Sequence, residues 1–246
     1  MDASSSVAWR EVGAVLFDLD GVLTPTAGVH MRAWAEMFTA FLAAHEDPAA
    51  DTSPYTDADY FAHVDGKPRY DGVRDFLASR GIALPEGDRE DPPSARTVCG
   101  LGNRKNDTFT MVLERDGVTA YPGSVALLDR LRDLGTPLAV VSSSANAPAV
   151  LAAAGLTDRF VAVVDGAVAV TLGLPGKPAP DTFVHAAAAC GVDPSRAVVV
   201  EDAVSGVRAG AAGAFALVIG VDRGVGEPAL TSAGADLVVT DLGLLA

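Results

Sequence analysis

Two rhythms of apolar spacing divide the chain. Residues 12–17 are an apolar run bounded by polar residues and followed by a glycine, which predicts a buried strand. From residue 26 the spacing changes to three and four. Val29, Ala33, Met37 and Phe41, with Trp34, Phe38 and Leu42, make one helical face that His30 begins. Residues 46–59 read as a loop rich in Asp, Pro, Ala and Thr, and residues 60–64 as a short helix. Two glycines and a proline in residues 64–72 predict a loop carrying Lys67 and Arg69. Val73, Phe76 and Leu77 then predict a helix stopped by Gly81. Residues 85–93 read as an exposed loop. A further helical region is expected over 94–115, interrupted near Gly100–Asn103 and carrying Arg104, Lys105, Asn106 and Asp107.

After residue 118 short apolar runs alternate with helical patterns. Strands are expected at 138–141, 161–164, 197–200, 215–219 and 237–239, with helices at 122–134, 147–154, 181–190 and 204–212. This alternation predicts an α/β fold, a doubly wound parallel sheet with helices on both faces. The first strand must join that sheet. The expected organisation is therefore a core of residues 1–25 and 118–246, with a helical domain of residues 26–117 inserted after strand one.

The formal charge of −14 over 246 residues disfavours nucleic acid and anionic membrane surfaces, which both recognise basic patches. No apolar run approaches the roughly 20 residues that span a bilayer. The first six residues lack the basic start and apolar run of a signal peptide. Cys99 and Cys190 fit no metal or redox spacing, so free thiols in a reducing cytoplasm are expected.

Chemistry concentrates at strand ends, where ligands of open parallel sheets bind. Asp18 and Asp20 close the first strand, and Gly21 lets the backbone bend there. Two carboxylates so close repel each other unless a divalent cation intervenes. Ser142 closes the second expected core strand, Lys177 lies in a Gly-Lys-Pro loop, and Glu201 with Asp202 closes another strand. Each has a plain structural explanation when taken singly: a solvated strand end, a helix cap, a surface lysine. Together they supply what phosphoryl transfer through a carboxylate needs, namely a nucleophile, a second acid, a hydroxyl, a cation and a distal acidic pair.

These four motifs, Asp18-Leu19-Asp20-Gly21-Val22, Val141-Ser142, Gly176-Lys177-Pro178 and Val200-Glu201-Asp202, resemble in order those of the haloacid dehalogenase superfamily, over nearly the whole chain. The resemblance implies that Asp18 becomes an aspartyl-phosphate and that Asp20 is the general acid/base. It implies Mg²⁺ held by Asp18, the Asp20 carbonyl, Asp202 and, directly or at one remove, Glu201. Ser142 and Lys177 would hold phosphoryl oxygens. A finer likeness, to the β-phosphoglucomutase-like family, rests on Thr24, Thr26, His30, Arg32 and Trp34, on Arg69, on Lys105-Asn106-Asp107, and on Ser144 and Asn146. It implies a cap closing over the core, with Thr26 and His30 positioning Asp20. Trp34, Arg69 and Lys105 would contact substrate, and Ser144 and Asn146 the distal phosphate. A monomer acting on a small phosphorylated sugar is expected, either isomerising β-glucose 1-phosphate and glucose 6-phosphate or, as the alternative, hydrolysing such esters. Pro25, Ala145 and Ala203 depart from the pattern, and the loops over residues 44–60 and 82–97 are long. Ala145 removes a cation from the distal phosphate site, which favours the phosphatase.

Overall fold

The three-to-four spacing of residues 26–43 folds as the long helix α1 (Ala27–Ala43), whose inner face buries Ala33, Trp34, Met37, Phe38, Phe41 and Leu42. The computed structural model describes residues 7–246, which form two compact units, Thr26–Gly117 and the chain on either side of it.

In the helical unit, a single turn α2 (Asp57–Asp59) is fixed by a capping box between Thr56 and Asp59 and runs into a π-helical turn, Tyr60–Val64. Helix α3 (Arg69–Ser79) starts at Arg69, four residues before the apolar spacing does. Arg69 is therefore a first-turn residue rather than a loop residue. Pro68 precedes it with φ −54°, already helical in that torsion. Gly81, at φ +67°, follows the end of α3 as expected. Helix α4 (Val98–Asp116) runs without the expected interruption. Its glycines admit neighbours instead of breaking the helix. A Cβ on Gly102 would lie 2.7 Å from the Tyr70 ring, and one on Gly100 2.5 Å from the Ala95 carbonyl oxygen. Phe38 joins α1 to α3 through Phe76, their centroids 3.9 Å apart. Each such fully buried aromatic contributes about 1.5–3 kcal/mol. Arg80, buried beneath the long 46–56 loop, bonds Asp59 at 2.9 Å and the Ser53 carbonyl at 3.0 Å.

The α/β unit is a six-stranded parallel sheet: β1 (Ala14–Phe17), β2 (Leu138–Val141), β3 (Ala162–Val164), β4 (Ala197–Glu201), β5 (Leu217–Val221) and β6 (Leu237–Val239). Its order, β3-β2-β1-β4-β5-β6, reverses direction at β1, so the switch-point crevice opens beyond the ends of β1 and β4. Helices α5 (Pro122–Asp133), α6 (Ala147–Ala153), α7 (Gly166–Leu172), α8 (Asp181–Ala189), α9 (Val204–Ala212) and α10 (Glu227–Ala233) accompany it. β1, β2 and β4 are wholly buried, which explains their unbroken apolar runs.

Three differences from the sequence reading have local causes. β1 begins two residues later than expected, after a 3₁₀ turn at Trp9–Glu11. β5 is displaced by two residues because Ala214 turns the chain at φ +53° and Phe215 packs edge-on to Phe183 instead of entering the ladder. α7 and α10 are additions. α7 buries none of its residues and leaves Val170 and Leu172 exposed. It is set by its ends, the Asp165 cap and Gly173 at φ +66°. Cys99 is buried, Cys190 is half-buried, and both are free thiols. Among the described residues no helix is long and apolar enough to cross a membrane.

Candidate active site

Asp18 extends β1 by one rung, its N–H donating to the Val200 carbonyl at 2.9 Å. The register of β1 on β4 thus brings Asp18 level with the end of β4, where Glu201 and Asp202 follow. Lys177 reaches in from the loop before α8 and is 3% exposed. Its ammonium donates to Asp18 Oδ1 at 2.6 Å, Glu201 Oε1 at 2.5 Å and the Val141 carbonyl at 2.9 Å. Three protons meet three acceptors from the ends of three strands. Burial disfavours the ammonium, but the Asp18 and Glu201 carboxylates outweigh it and raise the Lys177 pKa. Burial likewise pushes the Asp18 carboxyl up, Lys177 opposing and Glu201 and Asp20 reinforcing it.

Glu201, fully buried, engages both oxygens. Oε1 takes Lys177, and Oε2 takes the N–H groups of Asp202 and Ala203 at 3.0 Å each. Its carboxylate lies against the first turn of α9, where Gly206 leaves the room: a Cβ there would sit 1.8 Å from Glu201 Oε1. Gly21 does the same for Asp202. It holds φ +93°, and a Cβ would lie 1.8 Å from Asp202 Oδ2.

Asp20 lies in the turn after β1 and accepts a long, weak bond from Ser142 Oγ at 3.5 Å. Ser142 Oγ accepts the Ser144 N–H at 3.1 Å, and Ser144 Oγ the Asn146 N–H at 3.2 Å. The loop after β2 is thereby wound around its hydroxyls. Asp18, Asp20, Ser142, Lys177, Glu201 and Asp202 therefore meet at the switch point, with Ser144 and Asn146 on the loop that leads away from it.

Three carboxylates converge beyond the ends of β1 and β4, two of them bonded to Lys177. One oxygen from each of Asp18, Glu201 and Asp202 lies within 4.8 Å of the others. Carboxylate oxygens so placed fit a hard divalent cation, and the notches at Gly21 and Gly206 keep the space for their side chains.

The remaining expected residues belong to the helical unit. Thr26 is buried and its carbonyl accepts the His30 N–H at 2.9 Å. His30 stacks on Phe109 with centroids 4.0 Å apart, and its Nδ1 contacts the Lys105 ammonium. Lys105 is 4% exposed and lies over the rings of Trp34 and Phe109 at 5.0 and 5.3 Å. Arg69 donates to Asn106 Oδ1 at 2.6 Å, and its burial lowers its pKa. So α1 and α4 assemble Thr26, His30, Trp34 and Lys105 into one cluster, with Arg69 and Asn106 forming another.

Two residues of the α/β unit escaped the sequence reading. Gly206 resembles any helical glycine until Glu201 is seen against it. Arg223, in the loop after β5, donates from Nε to the Gly21 carbonyl at 2.7 Å. An Asp-Arg-Gly run carries no signal for a contact 202 positions away.

Known proteins resemble this chain. The profile of the haloacid dehalogenase-like hydrolases matches residues 12–213. A β-phosphoglucomutase of Mycobacterium bovis is 50% identical over 95% of this chain and 91% of its own length. A β-phosphoglucomutase of Bacillus subtilis is 34% identical over 92% and 88%. The crystal structure of a Clostridium difficile β-phosphoglucomutase, 22% identical, has the same fold with a TM-score of 0.75 over 96% of this chain and 93% of that one. With its acids at the switch point of a parallel sheet and half its residues shared with such a relative, the chain belongs to the haloacid dehalogenase-like hydrolase family, in the branch that holds the β-phosphoglucomutases.

Proposed function

We propose that the protein is a Mg²⁺-dependent β-phosphoglucomutase, interconverting β-glucose 1-phosphate and glucose 6-phosphate through an aspartyl-phosphate and a bisphosphate. The observation that carries this reading is the Lys177 ammonium, held between Asp18 and Glu201 with Asp20 two residues from the nucleophile.

An Asp18 carboxylate oxygen attacks phosphorus, forming a new O–P bond while the ester P–O bond breaks. The proton of the Asp20 carboxyl passes to the leaving oxygen. In the return half, the Asp20 carboxylate takes the proton of the attacking sugar hydroxyl, and the O–P bond at Asp18 breaks. Lys177, already beside Asp18 Oδ1, neutralises the incoming phosphoryl oxygens, and the Ser142 hydroxyl donates to them. Asp18, Asp202, the Asp20 carbonyl and, directly or at one remove, Glu201 would hold Mg²⁺, which would supply charge neutralisation where an anion must meet an anion.

The helical unit serves as the cap in this reading. Arg69, Lys105 and Trp34 face substrate, Thr26 and His30 position Asp20, and Ser144 and Asn146 take the distal phosphate. A guanidinium grips phosphate through two parallel bonds, so Arg69 carries most of the second phosphate. The reading extends to a monomeric cytoplasmic enzyme, which two free thiols suit.

The test follows glucose 6-phosphate and free phosphate together from β-glucose 1-phosphate, with Mg²⁺ and a trace of bisphosphate. Glucose 6-phosphate should accumulate with little free phosphate. Arg69→Ala should cripple isomerisation while sparing hydrolysis of a small monophosphate ester. Phosphate release in step with substrate loss, unchanged in Arg69→Ala, would establish a phosphatase instead.

A further inference from the structure

The backbone that carries Asp20 is unusually free in one torsion and unusually well anchored outside it. Gly21 stands at φ +93°, so no Cβ restrains it. Its N–H donates to the Thr24 carbonyl at 2.7 Å, and the Leu23 and Thr24 N–H groups donate to the Leu19 carbonyl at 2.9 and 3.0 Å. The outward carbonyls are each taken by a donor from elsewhere in the α/β unit. Arg223 Nε donates to Gly21, Ser124 Oγ to Val22 at 2.7 Å and the Tyr121 N–H to Leu23 at 2.9 Å.

Of these three donors Arg223 alone is charged, and it holds the carbonyl nearest to Asp20. Its Nη1 also donates to the Thr240 carbonyl at 3.0 Å, and its guanidinium lies 3.9 Å from the centroid of the Tyr121 ring. The loop that presents it is stiffened by the Asp222 carboxylate, which accepts the N–H groups of Gly224 and Gly226 at 2.8 and 3.0 Å. Nη2 is buried with no hydrogen-bond partner among the described residues. The seat of the guanidinium is thus set by two carbonyls and a ring, at the cost of one donor left unused. A planar fork stacked on an aromatic can do this, and an ammonium cannot.

We propose that Arg223 is a positioning residue for the general acid/base: by fixing the Gly21 carbonyl it sets the aim of the Asp20 carboxyl. The inference rests on the role given to Asp20 above. A guanidinium that merely clipped the segment after β6 to the sheet would affect every substrate alike, because it would change only how much protein is folded.

The experiment compares single-turnover phosphorylation of Asp18 by two donors, in the full-length protein with Mg²⁺. p-Nitrophenyl phosphate releases a stable phenolate that needs no proton. β-Glucose 1-phosphate releases a sugar oxygen that does. Misaiming a catalytic group by about 1 Å costs on the order of 100-fold. Arg223→Ala should therefore slow transfer from the sugar phosphate by about 10- to 100-fold and from the phenyl ester by less than about threefold. The ratio of the two rates does not depend on the fraction of protein folded. Arg223→Lys, which can reach one carbonyl, should fall between. In Asp20→Asn the ratio should collapse in the same way, and adding Arg223→Ala should change it no further. Equal slowing of both donors by Arg223→Ala, or a further fall in the ratio in the double variant, overturns the positioning role while leaving Asp20 as assigned. An Asp20→Asn enzyme with an unchanged ratio overturns the assignment of Asp20 and the inference with it.

Discussion

Gly206→Ala reverses a sign that secondary structure alone would give. Gly206 lies inside α9, and replacing a helical glycine with alanine ordinarily stabilises by up to about 1 kcal/mol. Here the new Cβ would lie 1.8 Å from Glu201 Oε1 and 2.0 Å from its Cδ. Glu201 is fully buried and has no solvent to retreat into. If it moves, the Lys177 ammonium loses one of two anionic partners, and the Asp202 and Ala203 N–H groups lose their acceptor. Breaking a buried ion pair costs about 3–5 kcal/mol. Set against the helical gain, the variant should be less stable by roughly 2–4 kcal/mol. Urea unfolding in a Trp34→Phe background measures this in the α/β unit, because Trp9 is buried there with its indole N–H on the Leu245 carbonyl at 2.9 Å. Gly28→Ala, in the helical unit and read from Trp34 in a Trp9→Phe background, is the control. Its Cβ would meet nothing closer than Arg32 Nη1 at 3.9 Å, so it should be neutral or stabilising by up to about 1 kcal/mol. A Gly206→Ala protein with a urea midpoint equal to or above the parent's, at the same slope, would refute the reasoning.

Asp18→Asn keeps the shape but removes the attacking anion, so turnover should vanish in any phosphate-release or isomerisation assay; near-normal rates would contradict its role. Asp202→Ala should weaken Mg²⁺ binding, read by calorimetry, and turnover together, and full activity in excess chelator would count against the metal site. Asp222→Ala should destabilise by about 1 kcal/mol at neutral pH, since its carboxylate accepts the Gly224 and Gly226 N–H groups. Those bonds lower its pKa below the ordinary 3.8, so their contribution is complete above that value and is lost as pH falls through the lowered native one. The gap between variant and parent in urea midpoint should close below that range, and a gap independent of pH would argue against the carboxylate.

The strands that carry the site were legible because parallel strands buried on both faces leave apolar runs, and because polar residues at their ends break those runs visibly. Asp18, Ser142 and Glu201 stand out at such ends, and Lys177 in its Gly-Lys-Pro loop. Elements whose stability comes from their ends were not legible. α7 sets only the half-buried Val168 on the core, and α10 runs only from Glu227 to Ala233, between two glycines, with Pro228 at its second position. Gly100 and Gly102 were misread because a glycine that ends a helix and one that admits a tyrosine look alike in sequence. Gly206 and Arg223 were unreadable for a related reason. Their partners, Glu201 and Gly21, are identified by distance in space, and no periodicity encodes it.

The hydrogen bond from the Tyr121 N–H to the Leu23 carbonyl brings the two ends of residues 24–120 together within the α/β unit. From the standpoint of the sheet, everything between is a loop already closed. The entropy of closing a loop grows only with the logarithm of its length, each doubling costing about 0.6 kcal/mol. Lengthening the 46–56 or 85–93 segments therefore leaves the sheet's own stability nearly untouched. Insertions can accumulate in the helical unit while the strand-end acids of the α/β unit keep their register. The long segments over residues 46–56 and 85–93 are the kind of feature such a closure tolerates.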